Sequence, residues 1–238
     1  MLEKLQLENV LFLDIETVPE FEKFSDLSEQ MQELFEKKTQ YQRKEDFSPE
    51  EFYERAGIWA EFGKIICISV GFFSSFKKER TFRIKSFYGD NEEQLLIDFK
   101  NLLVEHFSKP AHLLCAHNGK EFDFPFIARR MIINRIKLPN KLSLFGKKPW
   151  EIAHIDTLDL WKFGDYKHYT SLSLLTNILD IPSPKDDING SQVAEVYYKE
   201  KNLKRIVTYC EKDTLAVAQL LLRFKNLELL NANEVVII

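Results

Sequence analysis

The chain has 238 residues, 45% of them hydrophobic and 29% charged, with a net charge of −4. That is enough apolar material for a sizeable core, and no apolar run approaches the roughly 20 residues a membrane-spanning helix needs, so no membrane partner is expected. Three cysteines without CxxC spacing and five histidines without HExxH spacing argue against a disulfide framework and a zinc site, and the net charge by itself gives no hint of a nucleic-acid partner.

The N-terminus, MLEKLQLENV, lacks the basic start, apolar block and small-residue cleavage site of a secretory signal, so a cytoplasmic location is expected. Within NVLFLDIETVPEF the apolar run from Val10 predicts a buried first strand. Asp14 and Glu16 stand at i and i+2, and so share one face of that strand. Two like charges at that range are costly unless a cation or a proton neutralises them.

DLSEQMQELFEKKTQYQRKED and SPEEFYERAGIWAEF read as two helices, the second opened by Ser48 as cap, Pro49 at the first helical position and Glu51 at the capping-box offset. They fill a helical insertion, about residues 20–61, between the first two strands of a single domain spanning 1–238. GKIICISVGFF and RTFRIKSFYG are strand-like, DNEEQLLIDFKNLLVEHF is a helix capped by Asp90 or Asn91, and AHLLCAH is a short buried strand. A helix from about Phe124 to Asn134 precedes a Lys/Pro/Gly-rich loop through Pro149. EIAHIDTLDL then leads from strand into helix, and the chain from Ser171 to about Asn226 is helical, interrupted by the turn-forming DIPSPKDDINGS. Strands joined first by short links and later through helices predict an α/β fold, a mixed sheet flanked by helices. Cys67, Cys115 and Cys210 lie in apolar or helical contexts and read as buried, reduced thiols.

Charge is unevenly spread. Residues 17–61 hold twelve acids against six bases, a net of −6, and residues 129–168 hold nine bases against four acids, a net of +5. Solvated surface is the plain explanation of both, unless the basic stretch adjoins a metal site.

CAHNGKEFDFPFIARRM places Asp123 at a helix start, and IVTYCEKDTLAVAQL places Asp213 in a helix with Tyr209 one turn before it on the same face. Each has an ordinary alternative: a solvent-facing strand-end pair for Asp14 and Glu16, an N-cap for Asp123, a surface acid beside Lys212 for Asp213, a core residue for Tyr209. Taken together, oxygen ligands without a histidine or thiolate partner suit Mg²⁺ or Mn²⁺, ions that complete their shell with water and substrate phosphate. Such a cluster reads as a phosphodiester-cleaving site.

These residues resemble the DEDD 3′–5′ exonucleases, which have a ribonuclease H-like fold. The D-x-E motif is matched by Asp14 and Glu16, the aspartate after N-x-x-x-F by Asp123 with Asn118 and Phe122, and Y-x-x-x-D by Tyr209 and Asp213. Thr208 stands where the histidine variant of the family has His, which points to the tyrosine branch, DEDDy. The wider stretches ERAGIWAEFGKIICISVGFF, HIDTLDLWKFG and SPKDDINGSQVAEVYYKE are similar to stand-alone relatives of family-B DNA polymerase proofreading domains, and no motif position departs from the pattern. The resemblance implies a two-metal phosphodiesterase holding two divalent ions, Mg²⁺ or Mn²⁺, through Asp14, Glu16, Asp123 and Asp213. Tyr209 would position the attacking water, and Thr17 and Asn118 would hold the terminal nucleotide. Phe122 would stack on a base or pack the sheet. The implied partner is the single-stranded 3′ end of a nucleic acid, with DNA expected and RNA the alternative. A catalytically silent nucleic-acid-binding or accessory protein is the competing class. Lys147, Lys148, Lys167 and Lys185 are candidate phosphate contacts, and SPKDDINGS either borders the groove or is an Asn-Gly turn with Ser191 capping a helix.

Overall fold

The computed structural model describes residues 2–43, 47–76, 79–165, 167, 169–182 and 188–238. Strands β1 (Val10–Pro19), β2 (Gly63–Phe76), β3 (Glu79–Tyr88), β4 (Leu113–Ala116), β5 (Ile155–Asp156) and β6 (Val235–Ile237) form one sheet in the order β5-β4-β1-β2-β3-β6. β1, β2 and β3 pair antiparallel in succession, whereas β4 joins β1, β5 joins β4 and β6 joins β3 in parallel. This is the expected mixed sheet. β6 is an edge strand that three mostly exposed residues did not announce, and Arg80 secures its approach by an ion pair to Glu234 at 2.8 Å and by the carbonyls of Glu228 and Leu229.

β1 is central and covered on both faces, hence its nearly unbroken apolar run. Alternation divides it: Leu11, Leu13 and Ile15 join Leu96, Phe99, Phe124 and Ile127 in one core, and Val10 and Phe12 join Val217 and Leu221 in the other. The first core lies under α3 (Glu92–Glu105) and α4 (Asp123–Ile133). The second lies under the longest helix, Leu203–Phe224. In β2 a glycine is required at position 71, because a Cβ there would come within 2.2 Å of the Phe82 ring, which forms an aromatic cluster with Phe12 and Phe73.

Between β1 and β2 lie α1 (Glu29–Thr39) and α2 (Pro49–Phe52), the latter with the expected Ser48–Glu51 capping box. α2 is much shorter than its sequence suggests, continuing as 3₁₀ turns over Tyr53–Ile58. The cause is close packing: a Cβ at Gly57 would lie 3.1 Å from the Val18 backbone, so the chain follows β1 and not a helical axis. Phe35 centres an aromatic cluster with Phe24, Tyr53, Trp59 and Phe62, at ring separations of 5.1–6.0 Å, that serves as the segment's own core.

After β5 come α5 (Thr157–Lys162), α6 (Leu172–Ile178, capped by Ser171), α7 (Val193–Glu195) and α8 (Leu203–Phe224). The cap expected of Ser191 is supplied by Asn189, whose side chain accepts from the Ser191 amide at 3.0 Å and so opens a 3₁₀ turn two residues earlier. Residues 183–187 of the SPKDDINGS loop, with Lys185, lie outside the described residues. Among the described residues no helix is long and apolar enough to cross a membrane.

Candidate functional site

Asp14 and Glu16 continue the even-numbered face of β1, so they point toward α8, opposite Ser69 and Cys67 of β2. Polar contacts fix the rotation of α8 over these strands. The Cys210 thiol donates to the Asp14 carbonyl at 3.3 Å, the Thr214 hydroxyl lies 3.3 Å from the Ser69 carbonyl, and Ser86 donates to Glu211 at 2.8 Å. With positions 210 and 214 held against the sheet, Tyr209 and Asp213, themselves one turn apart, line a single cavity of about 240 Å³ with Asp14.

Asp123 reaches the same place from the other side of β1. It opens α4 and is only 3% exposed, and the Ile15 amide, between the two acids of the first strand, acts to lower its pKa. The preceding turn is built to present it. Asn118 takes a left-handed conformation (φ 62°), which asparagine tolerates better than most residues, and its carbonyl accepts from the amides of Glu121 and Phe122. At Gly119 a Cβ would lie 2.5 Å from that of Ala116, so the backbone approaches as only glycine allows. Asp156, buried at the end of β5, accepts from the amides of Asn118 (2.9 Å) and Lys120 (3.0 Å) while also capping α5.

The electrostatics are those of crowded, buried carboxylates. Burial foremost, then Asp213, Glu16 and Asp123, pushes the Asp14 carboxyl well above the usual range, with the Cys210 thiol opposing. Glu16 is likewise pushed well up, by burial, then Asp213, Cys67 and Asp123. Asp123 rises to about 8 through burial and the field of Asp156, against its own amide and that of Ile15. Asp14 Oδ2 is buried with no hydrogen-bond partner, an arrangement whose cost a bound cation removes. Carboxylate oxygens of Asp14 and Glu16 lie within 4.8 Å of each other and of Cys210 Sγ, a group able to coordinate a metal ion. The donors facing the acids are therefore not purely oxygen, as the sequence led us to expect. The Cys210 thiol, however, is pushed up by burial and by Cys67, and a protonated thiol is a poor ligand. The carboxylates thus fit a hard divalent ion.

Tyr209 stands one turn before Asp213 on α8 and lines the same cavity. Burial and the fields of Asp213, Glu16 and Asp14 hold its phenol far above the usual tyrosine value, so it is neutral and acts as a donor.

The structure brings Asp14, Glu16, Asp123, Tyr209 and Asp213 to one place. Thr17 is turned to another use, its hydroxyl donating to the Gly57 carbonyl at 2.7 Å and leaving only acceptor capacity. Phe122, partly buried, packs against the core beside Phe126 at 5.3 Å. Lys147 lines an apolar groove with Lys120 and Arg129, whereas Arg130, counted in the basic stretch, is buried in an ion pair. Lys148 lies over the ring of Trp150, and the Lys167 amide donates to Asp165 at 2.9 Å.

Sequence reasoning missed Asp156, although a strand ending in Asp before a helix is an N-cap signal. It also missed His117 and Tyr169 on the cavity wall and the meeting of Cys67 with Cys210, for which the sequence carries no spacing signal.

A family model for the RNase H superfamily matches residues 53–224, and the chain belongs to that superfamily. The match includes Asp123, Asp156, Tyr209 and Asp213 and begins beyond β1, so Asp14 and Glu16 stand outside it.

Proposed function

From membership in the RNase H superfamily, whose fold accords with nuclease activity and nucleic-acid binding, we propose that this protein is a divalent-metal-dependent 3′–5′ exonuclease of the DEDDy type. It acts on single-stranded ends, of DNA in the first instance, and releases nucleoside 5′-monophosphates. The observation that carries this reading is the convergence of Asp14, Glu16, Asp123 and Asp213 from three elements on one site, with Asp14 Oδ2 unpaired and Tyr209 beside it.

Asp14, Glu16, Asp123 and Asp213 would hold two ions, Mg²⁺ or Mn²⁺, which when bound supply charge stabilisation for the entering and leaving oxygens. The chain's own residues do the rest. Tyr209, a neutral phenol, orients a water by hydrogen bond and does not serve as its base. The Asn118–Gly119 turn, held by Asp156, fixes Asp123 relative to β1. Water oxygen bonds to the terminal phosphorus and releases a proton, the bond from phosphorus to the 3′ oxygen breaks, and that oxygen takes up a proton from solvent in exchange. A 3′-hydroxyl remains on the strand and the 5′-phosphate leaves with the terminal nucleoside.

Incubation of the protein with 5′-labelled single-stranded DNA, duplex DNA and single-stranded RNA, in Mg²⁺ or Mn²⁺, tests the reading. A ladder shortening from the 3′ end, fastest on single-stranded DNA, is expected. Immediate release of the labelled 5′ nucleotide, internal cuts or degradation of closed circles would overturn it.

A further inference from the structure

A helix on the outside of a sheet ordinarily shows the core one apolar stripe and solvent a polar remainder. α4 carries two apolar stripes. Phe124, Ile127 and Met131 join the core under the sheet, whereas Pro125, Ala128 and Ile132, spaced three and four residues apart, line a groove of about 370 Å³. The loop after α4 supplies the rest of the floor through Leu138 and Leu142. The groove is open: Ile132 is 50% exposed and Phe145, also on its lining, 73%. It shares no lining residue with the acidic cavity of Asp14, Tyr209 and Asp213.

Charge says what would cover it. Lys120, Arg129 and Lys147 stand on the groove, and among the described residues no acid lines it. Lys120 is committed to Asp159 at 3.2 Å, but Arg129 and Lys147 are exposed and hold no ion pair among the described residues. Both belong to the stretch 129–168, whose net charge is +5. An apolar concavity edged by uncompensated cations complements a chain that alternates apolar side chains with carboxylates, since the first fill the groove and the second meet the rim. A single-stranded nucleic acid is matched less well. Its bases need open ring faces, yet the floor is largely aliphatic and the nearby Trp150 ring is already covered by Lys148 Nζ at 5.2 Å.

We propose that the groove beside α4 is a docking site for an acidic peptide segment of a partner protein, anchored by bulky apolar side chains against Ile132, Leu138 and Leu142 and by carboxylates on Arg129 and Lys147. A partner held there leaves the acidic cavity open, because the two sites have no residue in common. The docking site stands independently of the exonuclease reading.

Fluorescence anisotropy of the fluorescein-labelled peptide Asp-Phe-Asp-Asp-Leu-Phe-Asp tests it. Saturable binding to wild type is expected, weakening as salt rises. Replacing every aspartate of the peptide by asparagine, or its phenylalanines and leucine by serine, should each weaken binding by about tenfold or more, as should Arg129→Glu and Ile132→Asp in the protein, which put an acid where the peptide's own acids or apolar anchors must lie. Both positions are exposed, and the urea midpoint of each variant checks its fold. Arg129→Glu combined with Lys147→Glu should reverse the preference, binding the peptide that carries lysine for every aspartate more tightly than the acidic one, a gain that an unfolded variant cannot give. Absence of saturable binding, or binding that neither single variant weakens, would overturn the proposal. Displacement of the peptide by an oligodeoxythymidine whose own affinity falls in Arg129→Glu would overturn it in favour of a nucleic acid. Self-association of wild type in sedimentation equilibrium that Ile132→Asp abolishes would overturn it in favour of a second copy of this chain.

Discussion

The guanidinium of Arg130 meets the carboxylate of Glu92 at 2.6 Å with both side chains buried, and the same guanidinium reaches Glu20 at 2.8 Å and the Ala60 carbonyl at 2.9 Å. Glu92 in turn accepts from the Ile65 amide at 2.7 Å and from Asn134 at 2.9 Å. One pair thus joins α4, whose first residue is Asp123, to the start of α3, to β2 and to both ends of the segment between β1 and β2.

Because both Glu92 oxygens and all three Arg130 nitrogens are engaged, removing one partner is costly. Arg130→Met leaves Glu92 buried without its cation and is expected to destabilise the fold by about 3–5 kcal/mol, read as a lowered urea midpoint. Arg130→Met combined with Glu92→Met should recover part of that loss, since two apolar groups need no pairing. A single-variant cost below about 1 kcal/mol would show that the cluster contributes little.

Asp14→Asn and Asp213→Asn are expected to reduce nuclease activity to background while leaving the fold intact. Each removes charge from a buried cluster of like sign, so thermal stability measured without metal should stay the same or rise. Near-wild-type turnover in either variant would remove that residue from the site.

Tyr209→Phe removes a neutral donor and little else. Turnover should fall by one to two orders of magnitude, about 1.4–2.7 kcal/mol, with KM little changed. A large rise in KM at constant kcat would instead assign the hydroxyl to substrate binding.

Much of this site was legible in the sequence because its parts are set by short-range rules. Alternation along β1 put Asp14 and Glu16 on one face, and a four-residue spacing put Tyr209 and Asp213 on one face of α8. Their convergence was a matter of resemblance, since nothing in the order of the chain says that α8 covers β1. The unforeseen features are those made by tertiary contact alone. Cys67 and Cys210 meet only because α8 crosses β2, His117 is fixed by residues 40 and 53 positions away, and β6 owes its pairing to β3. The shortening of α2 has the same origin, because the 3₁₀ turns that follow it track the backbone of Val18.

Gly119→Ala probes the turn that presents Asp123. The new Cβ would lie 2.5 Å from Ala116 and 3.0 Å from the Phe124 ring, so the turn has to shift, at a cost of roughly 1–3 kcal/mol. Asp123 lies four residues on, and activity should fall by more than the stability loss accounts for at a temperature where both proteins are fully folded. Gly119→Ala combined with Ala116→Gly relieves the closest contact and should return much of the activity. Failure of the second change to rescue, with the fold intact, would show that the turn does not position the acid.

His154 gives the fold a sensitivity to mild acid. It is 6% exposed, accepts from the Leu114 amide through Nδ1 at 3.2 Å and contacts the Lys141 carbonyl through Nε2 at 2.7 Å, so both nitrogens of the neutral ring are satisfied. A second proton would sit on Nδ1, facing the Leu114 amide. Burial, with help from nearby lysines and against the Lys141 carbonyl, lowers its pKa to about 4, compared with about 6.5 in the unfolded chain. The unfolded state therefore binds the proton more readily, and the stability that neutral His154 contributes is complete above about pH 6.5 and is lost as pH falls toward 4. Asp14, Glu16 and Asp123 act in the opposite sense, because their raised values favour the protonated fold as pH falls. Comparison with His154→Gln, which retains those acids, isolates the histidine. Between pH 7 and 4.5 wild type should lose roughly 2–3 kcal/mol more of its unfolding free energy than the variant, measured by urea denaturation at each pH. Parallel pH profiles for the two proteins would show that His154 is protonated in the fold as easily as outside it.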